Sequence, residues 1–144
     1  MGVNLTGKEE EKMKRYIFRK TGVIYLRTIS NFYLSMAKEE MEKLKEHAKN
    51  LKINVEIKPN KVIFDKKKGA IIYDWFLNHK ICPFYKGHAC LVYEDRPVAC
   101  REFPHGKLNY SQQVADFVKK NRIDFSDVSY EEAFTKCKLF CKSF

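Results

Sequence analysis

Between Ile81 and Pro104 the chain reads ICPFYKGHACLVYEDRPVACREFP, with cysteines at 82, 90 and 100 and prolines at 83, 97 and 104. Proline fixes φ and removes a backbone donor, so these residues set turns rather than continue a helix or a central strand. The block therefore reads as turns and short strands that gather three thiols. That is how a small domain holds a soft metal or an iron–sulfur cluster. Two more cysteines, Cys137 and Cys141, stand near the C-terminus.

A chain of 144 residues is read as one domain with a sizeable core. Hydrophobic residues at 44% and aromatics at 14% argue for a globular protein and against disorder. No apolar run has the length of a membrane span, and no signal-peptide pattern opens the chain, so a cytoplasmic protein without a membrane partner is expected. Five cysteines cannot all pair internally. In a reducing compartment, metal binding or burial is the better reading. The Lys, Glu and Ile bias with little Gln is one seen in hyperthermophiles, where a disulfide from Cys137 or Cys141 to the block is also open. The formal net charge of +10 is compatible with nucleic acid or an acidic protein partner, and equally with a solvated lysine surface.

Thr6 is expected to cap a first helix running to about Arg19, with Glu9, Glu10 and Glu11 at its start and basic residues after them. Thr21-Gly22 ends it. Val23 to Leu26 reads as a short strand, and Phe32-Tyr33-Leu34 as another. Ser35 is expected to cap the clearest helix, whose apolar face is Ala37, Met41, Leu44, Ala48 and Leu51. Val55 and Ile57 alternate with polar residues as in a half-buried strand. Pro59-Asn60 reads as a turn, Val62 to Phe64 as the return strand, Lys66 to Gly69 as a second turn and Ala70 to Leu77 as a third strand. In the cysteine block, Cys82 to Tyr85 and Cys90 to Tyr93 read as strands across a Lys86-Gly87-His88 turn, with Pro97 opening a helical turn that carries Cys100. Ser111 is expected to start a helix with Val114, Phe117 and Val118 inward. Ser129 with Glu132 forms a capping box for the last helix. The stripe of that helix is Tyr130, Ala133, Phe134, Cys137, Phe140 and Cys141. The expected fold is a single α+β domain, with a small, mostly antiparallel sheet from Val55 through Tyr93 flanked by helices.

Three thiolates need a fourth ligand to complete a tetrahedral zinc site or a cluster. The spacings exclude a zinc knuckle, which uses close C-x-x-C pairs, so the ligands must come from separate turns. Cys137 and Cys141 lie four apart on one helix face, where each can supply the fourth thiolate or pack in the core. His88 and His105 stand near the block as further imidazoles. Arg101, next to Cys100, and Arg96 are the cations that can offset thiolate charge, although Arg96 can equally pair with Glu94, Asp95 or Glu102. No glycine-rich phosphate loop, Ser–His–Asp signature or H-E-x-x-H motif is present, and no reaction is assigned.

The pattern C-P-F-x5-C-x2-Y-x2-R-P-x2-C-R-x-F-P, carried by Cys82, Pro83, Phe84, Cys90, Tyr93, Arg96, Pro97, Cys100, Arg101, Phe103 and Pro104, resembles the second half of the YkgJ-type cysteine-cluster family. The likeness runs from about Phe18 to Pro104, with residues 105–144 as a helical extension. The resemblance implies a zinc- or iron-chelating domain. Members of that family carry a C-x-x-C-x-x-C-C cluster before the helix, and the corresponding stretch here, Phe18 to Tyr25, has no cysteine. The site is thus expected to hold zinc or an iron–sulfur cluster through Cys82, Cys90, Cys100 and Cys137 or Cys141, or through three thiolates with water or an external ligand. The alternative is a basic interaction module for nucleic acid or an acidic protein, with a degenerate, metal-free cysteine site.

Overall fold

The computed structural model describes residues 6–27, 34–102 and 110–144. The fold is α+β: the described residues form five helices, a four-stranded sheet in the order β1-β3-β4-β2, and a separate two-stranded hairpin. Strand β1 pairs with β3, and β2 with β4, both antiparallel. Contacts divide the chain into two compact units, one formed by residues 1–32, 59–73 and 108–144, the other by residues 33–58 and 74–107.

The first unit is built around β1 (Val23–Tyr25) and the parts of β3 (Ile57–Asp65) and β4 (Gly69–Leu77) that belong to it. Alternation along the strands sends successive side chains to opposite faces. Ile24, Val62 and Phe64 point to one face, where they pack with Phe18 of α1 (Gly7–Thr21) and with Tyr130, Ala133 and Cys137 of α5 (Tyr130–Phe140). Val23 and Ile63 point to the other face and meet Val114, Phe117 and Val118 of α4 (Tyr110–Lys120). Both faces are therefore apolar, and both are covered. Each fully buried Phe, Ile or Val here contributes about 1.5–3 kcal/mol.

Helix α1 is capped as its sequence predicts. The Thr6 hydroxyl accepts from the Glu9 N–H at 3.2 Å. At the other end Gly22 adopts φ 78° and donates its N–H to the Phe18 carbonyl. A Cβ at Gly22 would lie 2.6 Å from the Phe125 ring, so this glycine is required by both conformation and space. Ser129 caps α5 by accepting from the Glu132 N–H at 3.2 Å. Arg15 pairs with Glu11 and Glu131, which ties α1 to α5.

The second unit packs α2 (Lys38–Leu51), β2 (Ser35–Met36), the end of β4 and the cysteine block. Met36, Met41, Leu44, Ala48, Trp75, Phe76, Phe84 and Val92 are buried there. Of the face that the helical spacing predicts for α2, Met41, Leu44 and Ala48 are buried, whereas Ala37 and Leu51 at its two ends are exposed.

Several expectations are corrected. Pro59-Asn60 is not a turn; both residues lie inside β3. The β1 ladder stops at the Tyr25–Lys61 pair, so Pro59 lies past that register, while the Asn60 carbonyl still accepts from the Leu26 N–H at 3.0 Å. The sheet also recruits Val23–Tyr25 and Ser35–Met36, whereas the hairpin of the cysteine block forms its own small sheet. Ser35 belongs to β2, and α2 starts instead after Ala37, whose N–H donates to the Glu40 carboxylate at 2.9 Å. Of the strand expected at Phe32-Tyr33-Leu34, the first two residues lie outside the described residues and Leu34 precedes β2 without joining a strand. Phe140, placed on the apolar stripe of α5, is 46% exposed.

Candidate metal centre

The cysteine block folds from local rules. Cys82 lies in a turn closed by the Tyr85 N–H donating to the Cys82 carbonyl at 3.1 Å. The hairpin strands β5 (Tyr85–Lys86) and β6 (Ala89–Cys90) follow, with Tyr85 opposite Cys90 and Lys86 opposite Ala89. The two connecting residues, Gly87 and His88, both have positive φ, 56° and 62°, the left-handed conformations a tight two-residue hairpin turn demands. The strands are shorter than the sequence suggests. After Leu91 the chain leaves the ladder for a 3-10 turn at Tyr93–Asp95. Pro97 then opens the short helix α3 (Val98–Glu102), its carbonyl accepting from the N–H groups of Cys100 at 2.9 Å and Arg101 at 3.0 Å.

This path brings Cys82, Cys90 and Cys100 into one electrostatic neighbourhood. Burial pushes the Cys100 thiol up from its ordinary range. Arg96 pulls in the opposite direction, and the Cys90 and Cys82 thiols add to the rise. Cys82 is exposed, while Cys90 and Cys100 are half-buried. Arg96 is held in place by Tyr93: its Nε donates to the Tyr93 carbonyl at 3.1 Å, and its guanidinium lies 4.0 Å from the centre of the Tyr93 ring. Arg101, the other expected cation, is exposed on α3.

Two side chains of α2 anchor the block from below. The second oxygen of Glu40 accepts from the Val98 N–H at 2.6 Å and so fixes the start of α3. His47 Nε2 lies 2.8 Å from Asp95 Oδ2, and that hydrogen bond lowers the Asp95 pKa. Phe84, 1% exposed, is the apolar pin under the hairpin. Glu40 and His47 both lie off the apolar face that the helical spacing predicts for α2. A glutamate three residues into a helix signals a cap, but nothing in the sequence signals its second bond to a residue 58 positions away.

The remaining imidazoles have other partners. His79 Nε2 accepts from the Glu56 N–H at 2.8 Å. His88 Nδ1 lies 3.4 Å from the Tyr85 hydroxyl. His105 lies outside the described residues.

Cys137 and Cys141 belong to the first unit. Cys137 is fully buried among Phe18, Ile24, Val62, Phe64, Tyr130 and Ala133, and Cys141 packs against the same cluster. Burial pushes the Cys137 thiol up to about 12 and the Cys141 thiol up to about 11. Both are neutral at physiological pH, as expected of thiols in an apolar core.

The donor set of the block suits a soft metal: three thiols on separate turns, beside a guanidinium that offsets thiolate charge. Among the described residues no three His, Cys, Asp or Glu side chains form a group that could hold a metal ion. The block matches a soft metal in donor type, while its side chains as placed do not form a metal site and Cys82 is exposed.

The chain is a member of the CxxCxxCC family, described as a "putative zinc- or iron-chelating domain", whose model matches residues 30–142. That span takes in Cys82, Cys90 and Cys100 and extends through Cys137 and Cys141. The family description supports a general metal-binding role. No curated protein and no solved structure matches the chain. Among the described residues, no helix is long and apolar enough to cross a membrane.

Proposed function

We propose that the protein binds a thiophilic metal through Cys82, Cys90 and Cys100, as zinc or as iron in an iron–sulfur cluster. The observation that carries this reading is the match of residues 30–142 to a zinc- or iron-chelating domain, a span that takes in all three block cysteines, with Cys90, Cys82 and Arg96 near enough to Cys100 to act on its thiol. Metal binding displaces thiol protons, and a bound cation favours the thiolate form that burial opposes. Cys82, exposed on its turn, is the side chain free to close on an incoming ion. In this reading the fourth position is open to water or an external ligand. Arg96 offsets the thiolate charge and orients the site.

Elemental analysis of anaerobically purified protein tests the reading. About one zinc per chain, or iron with sulfide and thiolate charge-transfer absorbance, is the expected result and distinguishes the two metals. Cys100→Ser should lower metal content sharply, and Cys141→Ser should leave it unchanged. Protein that carries neither metal and stays folded in chelator would sink the proposal.

A further inference from the structure

A second candidate site lies in the first unit, away in sequence from the cysteine block. A cavity of about 660 Å³ opens between α1 and the start of α5, lined among others by Lys12, Arg15, Tyr16, Arg19 and Tyr130. Lys12, Arg15 and Arg19 recur at steps of three and four, which places them on one face of α1. They span about 10 Å along its axis. Lys12 and Arg19 are exposed and have no ion-pair partner among the described residues. Tyr16 stands between them, 55% exposed, with Lys20 Nζ 5.7 Å from its ring centre.

The chemistry of the lining is specific. Its cations number three, and its one carboxylate, Glu131, is already paired with Arg15. The Arg15 guanidinium lies 4.9 Å from the centre of the Tyr130 ring, which presents it as a flat, partly desolvated donor at the cavity wall. An exposed aromatic ring interleaved with cations along an open groove is how proteins hold single-stranded nucleic acid: the cations track the backbone and the ring stacks a base. Single-stranded nucleic acid uses both features of the groove, the unpaired cations and the exposed ring face.

We propose that the α1–α5 groove binds single-stranded nucleic acid, with Lys12 and Arg19 on phosphates and Tyr16 stacked on a base. The site uses none of the five cysteines, so it stands or falls independently of the metal reading.

Fluorescence anisotropy of the full chain with a short fluorescein-labelled oligouridylate, over a salt series, tests the assignment. Affinity should fall linearly on a log–log plot against salt. Replacing both Lys12 and Arg19 with alanine should reduce that slope by about 1.4, at about 0.7 per phosphate contact. Tyr16→Ala should weaken binding at least about fivefold, the lower end of what one base stack contributes. The positions are exposed, and unchanged circular dichroism and urea midpoints verify that the variants fold. Alanines at Lys45 and Lys49, exposed on α2 in the other unit, remove the same charge and should leave the slope and affinity unchanged. Absence of binding at low salt overturns the proposal. So does equal loss in the α2 variant, which would assign binding to net charge, or an unchanged affinity in Tyr16→Ala. Displacement by uridine monophosphate as effective as by the unlabelled strand would also overturn it, in favour of a mononucleotide ligand.

Discussion

The carboxylate of Glu40 joins the start of α2 to the start of α3, accepting from the Ala37 N–H at 2.9 Å with one oxygen and from the Val98 N–H at 2.6 Å with the other. Both bonds are charge-assisted, and both satisfy donors at helix starts that would otherwise lack partners. One side chain thus stabilises a helix and positions the turn that carries Cys100.

Glu40→Ala is expected to destabilise the protein by about 1–3 kcal/mol, since it removes a cap and leaves the part-buried Val98 donor unpaired. The urea midpoint measures this. Metal affinity should fall as well, because α3 loses its anchor. A variant with both properties intact would show that Glu40 is a surface residue and nothing more.

Arg96 is predicted to act on the metal site through charge. Arg96→Ala should weaken metal binding about tenfold, the usual effect of losing a group that supports metal ligands. Competition with a chromophoric chelator reads the affinity. Arg101→Ala, a change at an exposed residue of α3, should have a smaller effect. Equal losses in the two variants would contradict the distinction.

The cysteines should separate cleanly in reactivity. With a thiol reagent at pH 8, exposed Cys82 is expected to react first, and Cys137 only after unfolding. Mass spectrometry of partially modified protein identifies the order. Early modification of Cys137 would mean that the apolar cluster around it opens readily.

Alkaline stability follows from the same burial. The folded Cys137 and Cys141 thiols ionise near about 12 and 11, above the ordinary value of 9.0. An unfolded chain therefore loses these protons first as pH rises. The stabilisation is fully present below pH 9.0 and is lost progressively through the folded values. Urea midpoints should decline from about pH 9 upward. The decline should be shallower in Cys141→Ala, and an identical decline in that variant would rule out its share.

Gly22→Ala is expected to cost at least about 1–2 kcal/mol, because alanine disfavours φ 78° and its Cβ would press on the Phe125 ring. Phe125→Leu in the same background should recover the steric part and not the conformational part. A Gly22→Ala protein as stable as wild type would refute both terms.

The sequence by itself determined much of this protein through short-range rules. The Thr6 and Ser129 caps, the inner face of α2, the Gly87-His88 turn and the helical turn after Pro97 each depend on residues within a few positions of one another. The turns of the cysteine block were legible for the same reason, since nearby proline and glycine residues set them. What only the tertiary structure decided depends on partners far apart in the chain. Pro59-Asn60 reads as a turn until β1 pairs with β3. Glu40 and His47 read as solvated until the block folds onto α2. Cys137 could equally be ligand or core when only its helix stripe is known. It is buried because Phe18, Ile24, Val62 and Phe64, from three other elements, surround it, and burial in that apolar cluster favours the neutral thiol.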